Sequence, residues 1–186
     1  MRLENQRQQD TATALSIAAY LQGDALETIM AIAPLSQWEQ WLGAWLQWLK
    51  VDQSPIHAYE LSIQFTTDIG IQTLNRQYRD QDRPTDVLAF ATLDSPVAIP
   101  TAALAQDPFY LGDIVISVDM ALTQSQGHGH TLQTELLWLL AHGLLHLLGW
   151  DHPDEAALQR MWQQQQQLLE AIGMTLATSA YTQEAG

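Results

Sequence analysis

Three histidines crowd the eleven residues 142–152, HGLLHLLGWDH, set among leucines, glycines and a tryptophan rather than on polar surface. His142 and His146 are four apart, so on a helix they share one face, with Cβ atoms roughly 5 to 6 Å apart. His152 cannot share that face. Gly149 lies between, however, and glycine accepts the positive φ that ends a helix and swings the following chain back over its last turn. Three protein ligands with a fourth position open is the pattern of catalytic rather than structural zinc. One histidine on an apolar face is usually a satisfied core residue. Three at this spacing would each be costly to bury unpaired, which favours a shared ion. The expected ligands are His142, His146 and His152, and the expected cofactor is one Zn2+.

A zinc ion so held lowers the pKa of water from 15.7 to about 7, which points to a hydrolase. The spacing H-x3-H-x2-G-x2-H also fits the metzincin peptidases, in which a Glu follows the first His and acts as the general base. Here that residue is Gly143, so a peptidase would lack its proton shuttle. Asp151, beside the third ligand, has two readings: a carboxylate that orients a histidine or relays a proton, or an ordinary turn carboxylate. His128 and His130 in GHGH are expected to be loop residues before a helix, and His57 stands alone; none of the three is expected to be a ligand. Glu135 precedes His142 by seven residues, on the same helix face, and reads as structural.

The elements that must carry these residues follow from periodicity. Alternation over 14–21 and 59–67 predicts strands, and the short branched runs at 86–91 and 112–118 predict two more. Residues 36–50, SQWEQWLGAWLQWLK, place four tryptophans and their leucine neighbours at helical steps, with Ser36 as N-cap; such a stripe is core material. Asp68 caps a helix beginning IGIQTLNRQYR. A helix over 119–126 ends at Gly127, an almost wholly apolar one runs from Thr131 to Gly149, and a last one continues from Pro153 to Ile172. The five glutamines at 163–167 read as a solvated face. The stretch 92–111 carries three prolines and is a long loop placed to cover a site.

With 186 residues and 47% apolar composition, one domain is expected, with flexible ends at 1–12 and 174–186. There is no cysteine, so a metal site must use histidine and carboxylate. No apolar run reaches the span of a bilayer, and the N-terminal apolar stretch is interrupted by Gln22, Asp24 and Glu27, so a cytoplasmic location is expected rather than export. The net charge of −14 excludes a general nucleic-acid binder. Three of the seven basic residues, Arg76, Arg79 and Arg83, nevertheless fall within RQYRDQDR, which makes them the candidate substrate-binding set.

Together, HGLLHLLGWDH, LNRQYRDQDRPTDVLAF at 74–90 and LGDIVIS at 111–117 resemble the YbeY family of single-domain, metal-dependent endoribonucleases. The resemblance runs from Tyr59 to Ile172, and the tryptophan-rich helix fits the family's first helix. It departs in detail at Ala89, where Ser is commoner, and at Trp150, where Tyr is frequent. It implies an α+β fold in which about five helices pack on a four-stranded mixed sheet. It also implies zinc on His142, His146 and His152, a catalytic arginine at Arg79, and cleavage of single-stranded RNA in small-subunit ribosomal RNA 3′ end maturation and ribosome quality control. The implied partners are ribosomal RNA and the small subunit or its assembly proteins. Two other classes stay open: a zinc metallopeptidase-like hydrolase, and a ribosome-biogenesis binding module with a structural metal.

Overall fold

The computed structural model describes residues 14–97 and 99–176. Its centre is a sheet of four strands in the order β1-β2-β4-β3: β1 (Ser16–Gln22), β2 (Ala58–Thr66), β3 (Val87–Ala91) and β4 (Phe109–Ser117). β1, β2 and β4 run parallel and β3 pairs antiparallel with β4 at one edge. The sheet is therefore mixed, and with its helices it forms the expected α+β fold. Among the described residues the helices are α1 (Leu26–Ile32), α2 (Leu35–Leu49), α3 (Asp68–Arg79), α4 (Thr101–Leu104), α5 (Val118–His128), α6 (Leu132–Leu147) and α7 (Glu155–Ala171). The five longer ones are those the periodicity predicts. α1 and α4, of 7 and 4 residues, are too short to show a helical period.

The central strand β2 alternates as expected: Tyr59, Leu61, Ile63 and Phe65 are buried, while Glu60, Ser62 and Gln64 are only partly covered. α2 lays Trp38, Trp41, Leu42, Trp45 and Leu46 into the core. Trp38 donates its indole N–H to the Ala33 carbonyl at 3.1 Å and Trp45 to the Leu168 carbonyl at 2.6 Å, so neither ring is buried with an unmet donor. The fourth tryptophan, Trp48, departs from the core expectation and is 53% exposed, because it sits in the last turn, beside Lys50 at the helix end.

Several boundaries move for identifiable reasons. Thr67, not Asp68, caps α3, its hydroxyl accepting from Gly70 N–H. Pro34 rather than Ser36 precedes α2. α5 runs through Gly127 and ends at Gly129, which takes the left-handed conformation at φ 72°. Asp154, rather than Pro153, opens α7 by accepting from Ala157 N–H at 2.7 Å. β4 begins at Phe109, earlier than expected: past a register shift between Glu60 and Ser62 it still pairs with β2, Phe109 with Tyr59 and Tyr110 with Glu60. Across that irregularity Gly112 sits at φ 136°, and a Cβ there would lie 2.1 Å from the Phe90 carbonyl oxygen.

The long connection before β4 is consequently shorter and contains a 3-10 turn at Thr92–Asp94 and α4. Of the ends expected to be flexible, residues 1–12 and 177–186 lie outside the described residues. Met174 N–H bonds to the Leu169 carbonyl at 3.0 Å and Leu176 is buried, so 174–176 are packed.

α6 is the hub. Leu136, Leu137, Leu139, Leu140, Leu144, Leu145 and Leu147 are all buried, and the helix packs against β3 and β4 on one side and against α5 and α7 on others. A helix apolar all round needs neighbours all round. Its C-terminal end is where the three histidines meet.

Candidate metal centre

The turn after α6 is a Schellman motif. Gly149 takes φ 86°, its N–H reaches the His146 carbonyl at 2.9 Å, and Trp150 N–H reaches back to the Leu145 carbonyl at 3.0 Å. This reversal returns His152 to the face that carries His142 and His146. The ring centroids form a near-equilateral triangle of 4.7 Å (His142 to His146), 5.3 Å (His142 to His152) and 5.2 Å (His146 to His152). One nitrogen from each ring lies within 4.8 Å of the others, so the three imidazoles can converge on one ion.

The tautomers suit that role. His142 Nδ1 lies 3.1 Å from Gln165 Oε1, and Gln165 Nε2 donates to the Trp138 carbonyl at 3.2 Å. Because the amide NH2 is committed to a carbonyl, its oxygen must face the ring, and His142 carries its proton on Nδ1. The lone pair on Nε2 then points at His146 Nε2, 3.1 Å away. Burial pushes the His142 pKa down to about 4, with the Gln165 hydrogen bond opposing and His146 and His152 adding to the shift. Burial likewise lowers His146, helped by His152 and opposed by a backbone hydrogen bond at Trp150. Neutral imidazoles with inward lone pairs are the form that ligates a cation, so this donor set fits a divalent metal.

The triad opens into a cavity of about 590 Å3. One wall is the edge strand β3, from Val87 to Ala89, and the other is the 149–152 turn. Arg79 enters from the last turn of α3, donating from Nη2 to the Ala89 carbonyl at 3.2 Å, with its guanidinium 6.0 Å from the Phe90 ring centre. The Ala89 carbonyl is available because Arg79 meets it on the edge of β3 that β4 does not occupy. Asp151 lines the same cavity and accepts the His152 backbone N–H at 2.8 Å; its charge also favours protonated His146.

Arg76 and Arg83 are exposed and are not among the cavity-lining residues. Arg76 is 3.7 Å from Asp82, and the Arg83 carbonyl accepts from Asn75 Nδ2 at 2.8 Å. Gly143 is buried, and a Cβ on it would lie 2.7 Å from Ile114 Cγ2 of β4. The position of the peptidase base is thus the point where helix and sheet touch.

Other residues gain roles that spacing alone did not assign. Gln165, expected on a solvated face, is fully buried. The signal was present: Met161, Gln165, Leu168 and Leu169 share the buried stripe of α7, so one of the five glutamines interrupts an apolar face. Asp86 lines the cavity next to β3, held by Gln124 Nε2 at 3.1 Å and accepting the Val87 N–H at 2.8 Å. His57 sits in a left-handed turn before β2. His128 and His130 are not plain loop residues, for both meet the buried carboxylate of Glu135.

The fold and the triad together define a small α+β protein with a three-histidine cavity of the kind that holds a catalytic metal. A family model described as Endoribonuclease YbeY matches residues 27–173. A protein of Synechocystis sp. is 46% identical over 163 residues, 87% of this chain and 91% of its own length. One of Picosynechococcus sp. is 52% identical over 143 residues, 77% of this chain and 85% of its own; both are described as Endoribonuclease YbeY. The solution structure of a Thermotoga maritima protein shares the fold, with a TM-score of 0.51 at 20% identity, covering 91% of this chain and 99% of its own. The chain belongs to the endoribonuclease YbeY family.

Proposed function

We propose that this protein is a metal-dependent endoribonuclease that cuts single-stranded segments of ribosomal RNA, and that His142, His146 and His152 hold the ion. The observation that carries the reading is the convergence of three imidazoles in a cavity that Arg79 also enters. Zinc is the ion we assign, since an all-imidazole set with no thiolate suits it. When bound, it supplies Lewis-acid polarisation and water activation at neutral pH.

The chain's own groups do the rest. Arg79, steadied by the Ala89 carbonyl and the Phe90 ring, keeps further N–H donors for phosphate oxygens and offsets the negative charge that builds on those oxygens as the P–O bond breaks. Asp151, at the cavity wall, accepts the proton of the attacking water or ribose hydroxyl and returns it to the leaving oxygen as the P–O bond breaks. Arg76 and Arg83 hold flanking phosphates on the rim. Gln165 fixes the His142 ring, and burial lowers the pKa of His142 and His146 and keeps these two neutral and ready to ligate.

The reaction is placed in the maturation of the small-subunit RNA 3′ end and in ribosome quality control. A chain of net charge −14 repels free RNA, so a substrate held by the small ribosomal subunit or its assembly proteins suits it better. No helix among the described residues is long and apolar enough to cross a membrane. The cytoplasm is the compartment proposed.

The decisive experiment measures metal content alongside cleavage of single-stranded and structured RNA, with and without chelator. Wild type should carry one ion at this centre and cut the single-stranded substrate. His142→Ala should lose that ion and the cleavage; a variant that keeps both sinks the reading. Cleavage of unfolded protein but not RNA would favour a peptidase. Normal RNA processing by a folded, ligand-deficient variant would favour a binding module.

A further inference from the structure

α6 carries a second histidine cluster at its other end. Gly129, in the left-handed conformation, closes α5, and Thr131 opens α6 by accepting from Thr134 N–H at 3.2 Å. This tight junction sets His128 and His130 on either side of the glycine and brings both over the first turn of α6. There Glu135 is 1% exposed, and its Oε2 meets His128 Nδ1 at 3.0 Å and His130 Nε2 at 2.5 Å. One ligand atom from each of the three residues lies within 4.8 Å of the others. The cluster borders a cavity of about 170 Å3, lined by His128 and Glu135, that reaches Asp86 and His142.

We propose that His128, His130 and Glu135 form a second site for a divalent cation of the zinc class. Two imidazoles and a carboxylate with room beside them are a recognised donor set for such ions. Tetrahedral ligands at bond lengths of 2.0–2.1 Å stand roughly 3.3 Å apart, so the observed contacts need to open by less than an ångström. A +2 ion also compensates a carboxylate that is almost wholly removed from water.

The second site is not part of a two-metal catalytic centre. Glu135 and His142 are seven residues apart on α6, about 10 Å along its axis, whereas paired catalytic metals stand about 3.5–4 Å apart. Its action is a brace. It ties the end of α5 to the start of the helix that presents His142 and His146. The proposal does not depend on what the first centre does.

The test uses the full chain, stripped with chelator and titrated with Zn2+ alone, with ions per chain counted by native mass spectrometry and elemental analysis. Wild type should take two ions, and His142→Ala/His146→Ala and Glu135→Gln one each. Glu135→Gln preserves the shape of the site, and the wild-type count decides even where a variant fails to fold. With Co2+, the His142→Ala/His146→Ala chain should show visible absorption of a four-coordinate ion, and its Tm should rise on loading.

Wild type saturating at one ion that Glu135→Gln keeps and His142→Ala/His146→Ala loses would overturn the proposal, leaving a proton-bridged cluster. A single ion lost from Glu135→Gln and retained by His142→Ala/His146→Ala would instead uphold this site and overturn the reading of the first.

Discussion

A side-chain carbon on Gly143 would stand 2.7 Å from Cγ2 of Ile114. α6 lies so close to β4 at this point that nothing larger than hydrogen fits between them. The residue that a peptidase of this spacing would use as its base is therefore also the contact that seats the helix carrying His142 and His146. Gly143→Glu should not create a peptidase. It should destabilise the fold by roughly 1 to 3 kcal/mol through overpacking, read as a lower urea midpoint, and shift α6 enough to weaken ion uptake. Casein hydrolysis by a stable Gly143→Glu protein would refute this.

Gln165 should matter to metal affinity more than to stability. Removing a partner that orients a ligating histidine commonly weakens binding by about 10–100-fold. Gln165→Leu fills similar space but cannot accept from His142 Nδ1, and competition with a calibrated chelator should show the drop. An affinity equal to wild type would mean that the hydrogen bond does not set the tautomer.

Arg79 should be intolerant even of lysine. A lysine cannot bond the Ala89 carbonyl, face Phe90 and present a planar pair of donors to a phosphate at once. Both Arg79→Ala and Arg79→Lys should retain the metal and lose about 10²–10³ in kcat, as expected for a group acting on transition-state charge. Retained turnover in Arg79→Lys would reduce the residue to a surface cation.

Arg76 and Arg83, outside the cavity, should behave differently. Their replacement by alanine should raise KM while kcat holds. If the three arginines are the phosphate contacts, the logarithm of affinity should fall with the logarithm of salt at a slope of about −2, and each rim substitution should flatten it. An unchanged slope in both variants would remove them from the substrate path.

The chelated protein should lose stability in mild acid. His142 is held near 4 by burial, while in the unfolded chain it titrates near 6.5. Below pH 6.5 the unfolded chain takes up a proton that the folded site refuses. The stability present above that value is therefore lost as pH falls towards 4, by about 3 kcal/mol in all. Urea unfolding at pH 7.5, 6 and 5 should show a slope that is smaller in His142→Ala; identical slopes would contradict it.

Much of the centre was legible because its grammar is local. Four-residue spacing and one glycine are enough to bring His142, His146 and His152 together, and periodicity gives α2, β2, α6 and α7. What escaped depends on tertiary contacts. Gln165 looks like its four neighbours until the buried stripe of α7 is set against α6. His128 and His130 look like loop residues until Gly129 folds them onto Glu135, and Gly127 competes with it as the visible stop signal. α1 and α4 are too short to carry a period. Arg79 could be singled out by resemblance, but its anchor at Ala89 required knowing which edge of β3 is free.

The hydrogen bond from His142 to Gln165 joins the first ring of the triad to a residue that leaves the ribosome thirteen positions after His152. A nascent chain that has just exposed His152 possesses all three imidazoles, yet nothing holds the first ring in its metal-accepting tautomer until α7 docks. Setting of the first ring is thereby tied to synthesis and docking of α7, and a product truncated before Gln165 has a histidine cluster without the partner that sets it.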